Sequence, residues 1–501
     1  MKKRQPISRG SEWTMTLIQR YDEAIARIAN DFQLNTYPNQ IEIISAEQMI
    51  DAYASVGMPI GYNHWSFGKN FVTIEKNYQQ GALGLAYELV INANPCIAYL
   101  MEENTMAMQA LVIAHACYGH NSFFKNNYLF KMWTGADAII DYLVFAKNYI
   151  SECETLHGVR EVEMTLDACH ALMNYGVDRY KRPAPLSLHE EKIRQQNREI
   201  YLQSQVNELW RTIPKAHPSL DLNTQAAHFP SEPQENLLYF IEKNAPLLQP
   251  WQREIVRIVR KMAQYFYPQR QTKIMNEGWA CFWHYTLLHA LYDEGLVTDE
   301  FMLEILVSHT AVINQNAYNS PHFSGINPYS LGYGMMQDIK RICEAPTEED
   351  RRWFPLLANT PWQKSLDHAM QNYKDESFIT QYLSPHLIRE LKLFHLVDDD
   401  KQTECVINAI HDESGYLTIR DALSRQNNLE NIEPNIQVFL VDRDGDRALT
   451  LQHKQQNGMP LGPSTAAVLK HLHALWKFPV HLQSVDAHGN VLVEYHYPSE
   501  S

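Results

Sequence analysis

Three well-separated stretches of this chain set histidines and carboxylates into segments that are otherwise apolar. The first is AHACYGHNSFFKNN (114–127), with His115, His120 and, just before the second histidine, Gly119. Zinc-binding helices usually carry two histidines at i and i+4, so that both imidazoles face one ion. Here the spacing is i+5, which sets the side chains about 140° apart on a regular α-helix. Convergence on a metal therefore requires a π-bulge or a helix end near Gly119, devices that recur at functional sites. Ala116 stands where zinc peptidases carry a glutamate, so the usual general base is missing. Without a metal, the two are ordinary buried or surface histidines.

The second stretch, EVEMTLDACH (161–170), places Glu163, Asp167 and His170 at i, i+4 and i+7, within about 40° of one line on a helix. Such a stripe is either a solvated face or a set that must be paired or metal-bound to be buried. In the third, MNEGWACFWHYTLLHALYDEG (275–295), Glu277 and His284 share a face at i and i+7, among Trp279, Phe282, Trp283, Leu287 and Leu288. A first-turn position for Glu277 would be favoured by the helix dipole, whether as a capping carboxylate or as a cation ligand. EGWA resembles the helix that supplies the third, glutamate ligand in some zinc metallopeptidases. His309 in EILVSHTAV suits either a core histidine or a ligand, and His64 and His322 lie in aromatic loops. Cys117 and Cys281 sit beside the candidate ligands; a small buried hydrophobe is the commoner role than a nucleophile. No P-loop, GxGxxG, GxSxG or kinase motif is present.

The positioning elements are mainly helical. An amphipathic helix is predicted over 12–33, from Trp13, Leu17, Tyr21, Ile25, Ile28 and Phe32. YPNQIEII (37–44) is extended, and Ser45 with Gln48 opens a helix as a capping box. GMPIGYNHWSFGKNFV (57–72) reads as a loop or hairpin, and LAYELVINANP (85–95) as a strand ending at Asn-Pro. Helices are predicted over roughly 97–118, 135–155, 160–175, 235–267, 273–294, 299–316 and 348–395, and a long loop over 319–336. Residues of about 181–235 form a polar, proline-bearing excursion. Beyond about 400, ECVINAI, YLTIRDAL, IQVFLVDRDGDRALTLQHK and VHLQSVDAHGNVLVEYHY read as short β runs around one helix at 465–478. The expected fold is mainly α: a large helical, zincin-like N-terminal domain with a short sheet (1–398), and a small α+β C-terminal domain (399–501).

The 501 residues are 45% apolar and 20% charged, which is globular composition. A net charge of -15 gives no broad basic face for nucleic acid and no polybasic attraction to anionic lipid. The seven cysteines are odd in number and include no CxxC, against a disulfide scaffold or a zinc ribbon. The basic start MKKRQPISRGSEWTM has no apolar stretch after it, and no apolar run is long enough to span a bilayer. A reducing cytoplasm is the expected location.

Taken together, YPNQIEII, HWSFGK, GLAYELVINANPCIAYLMEENT, AHACYGHNSFFKNNYLF, EVEMTLDACHALMNYGVDRYKRP, MNEGWACFWHY and NPYSLGYGMMQDIKRICE resemble the SpoVR family, the stage V sporulation protein R-like proteins. The resemblance covers most of the chain, including the family's smaller C-terminal domain. It implies the context for which the family is named, the building of the spore cortex, although the family also occurs in bacteria that make no spores. The genes commonly lie beside those of a PrkA-type AAA+ ATPase and a von Willebrand A-type protein, which implies a stress or stationary-phase system and two candidate partners. Membership implies no particular activity.

The residues must supply the chemistry. Strand, histidine-bearing helix and EGWA helix follow one another in the order seen in zincin-like metallopeptidases, an analogy of arrangement. The expectation is a divalent ion, Zn²⁺ or another, held by His115, His120 and Glu277 with a position open for water, and with His284 a further candidate ligand. Glu163, Asp167 and His170 are the candidate catalytic groups: a replacement base, a second layer around the metal or a donor to an oxyanion. The expected reaction is metal-dependent hydrolysis of an amide, in a peptide or a peptidoglycan stem. Two rivals remain open: a non-catalytic partner of the ATPase and the von Willebrand A-type protein, and a redox iron or manganese centre.

Overall fold

The computed structural model describes residues 5–55, 61–62, 64–66, 88–179, 229–397, 406–409, 411–455 and 460–498. Most of the expected loop at 57–72 and of the polar excursion at 181–235 lies outside the described residues. Among the described residues the architecture is mainly helical with three small sheets. The chain divides into one unit of Met1–Glu163 with Gln264–Glu433 and a second of Met164–Ala263 with Pro434–Ser501, where the sequence texture suggests a single break near 399.

In the first unit, α1 (Met15–Asp31) buries Ile18, Tyr21, Ile25 and Ile28, three or four residues apart, and the Thr14 side chain caps it by accepting from the Leu17 N–H. β1 (Asn39–Ile44) leads through the expected Ser45–Gln48 capping box into α2 (Ala46–Ala54). β2 (Glu88–Ile91) and β3 (Cys96–Met101) complete a sheet of order β1-β3-β2, in which β3 is parallel to β1 and antiparallel to β2. The predicted helix from 97 therefore begins with a strand. CIAYLM is a continuous apolar run, whose lack of period does not separate a buried strand from a helix. Thr105 then caps α3 (Met106–Val112), which passes directly into a π-helix (Ile113–His120) and α4 (Asn121–Asn126). Next come α5 (Tyr128–Trp133), α6 (Ile139–His157) and α7 (Val159–Ala171), the last crossing the division between the units.

After α8 (Leu237–Asn244) and α9 (Pro250–Gln271), the chain enters α10 (Lys273–Asp293), apolar on nearly every side. Two close backbone approaches fix its neighbours. A Cβ on Gly119 would stand 2.6 Å from Ala280 Cα, so the π-helix lies directly on α10. A Cβ on Gly278 would stand 2.3 Å from the Gly332 carbonyl carbon, which brings α12 (Pro328–Glu344) against the other side, after α11 (Asp299–Val312). The predicted loop over 319–336 is irregular only as far as Asn327. The Asn327 side chain accepts from the Tyr329 N–H and Pro328 opens the helix, a position where proline's missing N–H is harmless. α13 (Glu348–Trp353), α14 (Trp362–Asn372), α15 (Asp375–Tyr382) and α16 (Pro385–Glu390) follow, then the antiparallel pair β4 (His395–Val397) and β5 (Val406–Ala409).

YLTIRDAL, predicted as a β run, belongs to α17 (Glu413–Gln426): Tyr416, Ile419 and Leu423 form its buried face and Asp412 caps it. α18 (Leu429–Ile432) ends this unit. In the second unit, β6 (Asn435–Val441), β7 (Leu449–Lys454), α19 (Thr465–Trp476), β8 (Val480–Val485) and β9 (Val491–Tyr497) give a sheet of order β6-β7-β8-β9. Only β7 and β8 are parallel, and α19 is the crossover between them. Among the described residues no helix is long and apolar enough to cross a membrane. Cys96, Cys117, Cys153, Cys169, Cys281 and Cys343 are free and buried.

Candidate metal centre

The i+5 pair converges through a π-helix, one of the two routes its spacing left open. In the π-helix, bonds run to the fifth residue, the turn widens, and residues five apart return to nearly one line. The His115 and His120 ring centroids are 4.7 Å apart. Both Nε2 atoms face two carboxylates. His115 Nε2 lies 3.1 Å from Glu88 Oε1 and 3.9 Å from Glu277 Oε2. His120 Nε2 lies 3.7 Å and 3.6 Å from the same two atoms. Glu88 begins β2 and Glu277 comes from α10, so strand, π-helix and helix each deliver part of the group.

Glu277 is not in the first turn of its helix, which starts at Lys273. The positive end of the helix dipole therefore does not act on it as a first-turn carboxylate. The α10 N-terminus is instead satisfied by Asp375 of α15, whose carboxylate oxygens accept from the Ile274 and Met275 N–H groups at 2.9 Å each. Behind the histidines, His120 Nδ1 meets Asn276 Oδ1 at 2.9 Å and His115 Nδ1 meets His284 Nδ1 at 2.8 Å. His284 Nε2 in turn meets His309 Nδ1 at 2.7 Å. Burial, with the charge of nearby Glu277, raises the Tyr329 phenol at the start of α12, and the Tyr53 hydroxyl donates to the Glu88 carbonyl.

Burial works to raise the Glu88 carboxyl, but the charge and hydrogen bonds of His115 and His120 outweigh it and hold it at about 2. Burial works to lower His115, and is outweighed by the Glu88 charge and by the polar groups of Cys281, Glu277 and Glu88 around it, which raise it well above the usual imidazole value. His284 is driven well below that value by burial and by the neighbouring His115 and His309. Burial raises the Cys281 and Cys117 thiols, so neither is an activated nucleophile.

Two imidazoles and two carboxylates are a donor set suited to a divalent cation. With bonds near 2.1 Å, a tetrahedral ion would separate its ligands by about 3.4 Å, and the four N–O separations run from 3.1 to 3.9 Å. Glu88 Oε2 and Glu277 Oε2 are both buried without an ordinary hydrogen-bond partner, the condition a cation would relieve. Among the described residues, the groups of three or more close-set potential ligands are Glu88, His115 and His120, and His115, Cys281 and His284.

Of the residues singled out in the sequence, His115, His120, Glu277 and His284 are brought together. Glu163, Asp167 and His170 stand on α7 and belong to neither group; Asp167 and His170 are in the second unit. His309 joins through His284. His64 is buried with Nδ1 at 2.6 Å from Ser66 Oγ, and His322 is exposed. Glu88 was not foreseen. Its signal was a lone carboxylate at the edge of the apolar strand ELVI.

No solved structure matches the chain. The family model described as SpoVR like protein matches residues 12–432, and that of the SpoVR-like C-terminal domain matches 434–487. A protein of Escherichia coli (strain K12), named "Uncharacterized protein YcgB", is 61% identical over 485 residues, covering 97% of this chain and 95% of the relative. With both family models aligned along one chain, over the helices that build the centre and the sheet that follows, this protein belongs to the SpoVR family.

Proposed function

We propose that this chain is a metal-dependent hydrolase of amide bonds, with a zincin-like arrangement in which His115, His120 and Glu277 hold a divalent cation and Glu88 is the general base that the histidine helix lacks. The observation that carries it is the convergence of two imidazole Nε2 atoms on two carboxylates within 3.1–3.9 Å, with both carboxylates short of a partner. A bound divalent ion supplies a polarised carbonyl and a water acidified to a pKa of about 7. The chain's own residues do the rest. Asn276 orients His120 through Nδ1. The charges of His115 and His120 that hold the Glu88 carboxyl at about 2 are gone once those imidazoles are neutral ligands, and Glu88 Oε2, without a hydrogen bond of its own, could then take a proton from water. The expected substrate class is a peptide amide, peptidoglycan stem peptides included. Glu163, Asp167 and His170 have no part in this scheme.

A second reading has an observation in its favour. Four protein donors close a tetrahedral shell, as structural zinc sites do. The chain would then be a metal-stabilised, non-catalytic partner of the ATPase or the von Willebrand A-type protein. One set of variants separates the two. The purified protein is expected to hold one ion per chain, lost in His115→Ala and Glu277→Gln without unfolding. In Glu88→Gln a hydrolase keeps its metal and loses cleavage of a panel of peptide and stem-peptide amides, whereas a structural site loses metal. A metal-free wild type ends both readings.

A further inference from the structure

Resting on that metal reading, we infer that His284 is not a metal ligand but the first member of a hydrogen-bonded histidine chain, His284 and then His309, that positions His115 for the cation. His115 Nε2 faces the carboxylates, so its other nitrogen, Nδ1, is the one left to be oriented. That nitrogen meets His284 Nδ1 at 2.8 Å, the length of a hydrogen bond. It is shorter than the separation of two ligands on one ion, about 3.0 Å for octahedral and about 3.4 Å for tetrahedral geometry with bonds near 2.1 Å. The other nitrogen of His284 is engaged as well, at 2.7 Å from His309 Nδ1. Both nitrogens of His284 thus serve hydrogen bonds.

The direction of the bonds follows from the first one. A ligating Nε2 must present a lone pair, so His115 carries its proton on Nδ1 and donates it to His284 Nδ1. His284 then holds its proton on Nε2 and donates to His309 Nδ1. His309 is left with a protonated Nε2, the buried nitrogen that has no hydrogen-bond partner. Around that ring stand Tyr285 and Tyr333, with centroids 5.0 and 4.8 Å away. Along the chain, the His284 and His309 rings stand edge-on at 90°. Metal-bound histidines generally donate their second N–H to a fixed acceptor, which sets tautomer and ring orientation. For His120 that acceptor is Asn276; for His115 it is another histidine, itself held by a third, on three separate helices.

The test uses full-length protein loaded with Zn²⁺ or Co²⁺ and counts imidazoles by X-ray absorption. Two metal-bound imidazoles in the wild type are expected, and three would overturn the inference. Affinities are then measured for His284→Gln, His284→Leu and His309→Leu. Glutamine can accept from His115 and donate to His309, so His284→Gln should stay closer to wild type than to His284→Leu. The leucine variant should lose roughly 10–100-fold in metal affinity while keeping two bound imidazoles. His309→Leu should show a smaller loss of the same kind. Equal losses in the glutamine and leucine variants would mark His284 as a ligand and refute the positioning role. If His284→Leu does not fold, the wild-type count and His309→Leu still decide. A wild type that binds neither metal would sink the metal reading itself, a result distinct from a third imidazole.

Discussion

Gly119 gives the most direct way to disturb the centre without touching a donor atom. It lies between Tyr118 and His120 in the π-helix, and an added Cβ would stand 2.6 Å from Ala280 Cα and 2.9 Å from Ala280 Cβ. Non-bonded carbon atoms sit about 3.5–4.0 Å apart, so in Gly119→Ala the π-helix and α10 must separate by about 1 Å. The nearer atom is backbone, which no rotamer change can move aside. Overpacking of this kind costs about 1–3 kcal/mol. The same displacement acts on His120 and Glu277, whose Nε2 and Oε2 atoms are 3.6 Å apart, one on each of the parted helices. Urea unfolding followed by tryptophan fluorescence, with metal content measured alongside, should therefore show a lower midpoint and a weaker site together. Adding Ala280→Gly removes the clash at 2.9 Å but leaves the closer one with the backbone of residue 280, so rescue should be partial. A Gly119→Ala protein as stable as wild type, with unaltered metal binding, would refute the close approach and the geometry built on it.

Three further outcomes are expected. Asn276→Leu deprives His120 Nδ1 of its acceptor and should cost roughly 10–100-fold in metal affinity with little change in fold, read by competition with a chelating dye. Burial, partly offset by the Ile274 and Met275 N–H groups, raises the Asp375 carboxyl from 3.8 to about 7. Because the folded form holds that proton more tightly, its stabilising contribution is full below 3.8 and is lost as pH rises through 7, on the order of 4 kcal/mol in all. Asp375→Asn should flatten this part of the stability–pH profile measured by urea titration, and an unchanged slope would contradict it. In the second unit, buried Glu242 meets Arg260 at 2.9 Å, Arg257 at 3.2 Å and Lys243 at 2.8 Å. Glu242→Ala leaves Arg260 buried without its carboxylate and should destabilise that unit by about 3–5 kcal/mol, seen as a lowered thermal midpoint.

How far the sequence could be read depended on whether an element's signal was local. The i+5 spacing of His115 and His120 is local, and of the two devices it left open for convergence, a π-bulge or a helix end near Gly119, the structure contains a π-helix. The Ser45–Gln48 box and the long apolar helix from 273 are likewise written in neighbouring residues. Segment 96–101 has no period to distinguish strand from helix, and only its pairing with β1 and β2 decides. YLTIRDAL misleads for the same reason: its β-branched residues suggest a strand, yet Asp412 and the 416–419–423 face make a helix. The placement of Glu277 in a first turn depended on where α10 begins, and that is set by Asp375, 101 residues along the chain from Ile274.

Glu88 shows the same limit at the site itself. A single carboxylate on a four-residue strand has no partner at helical or strand spacing to mark it out. It becomes meaningful only when β2 is laid against β3, and the chain that follows β3 turns back as the π-helix. The helix that carries His115 has alanine where a glutamate base would otherwise stand, and the strand brings a glutamate to within 3.1 Å of that histidine's Nε2. A helical base would sit one residue from its histidine and share any motion of the helix. Glu88 instead belongs to a sheet, and Tyr53 of α2 binds its carbonyl. Loss of Tyr53 should therefore disturb Glu88 without displacing the imidazoles. In Tyr53→Phe the metal should stay bound while hydrolysis falls; an equal loss of metal would mean that Glu88 is chiefly a ligand, as a closed structural site requires.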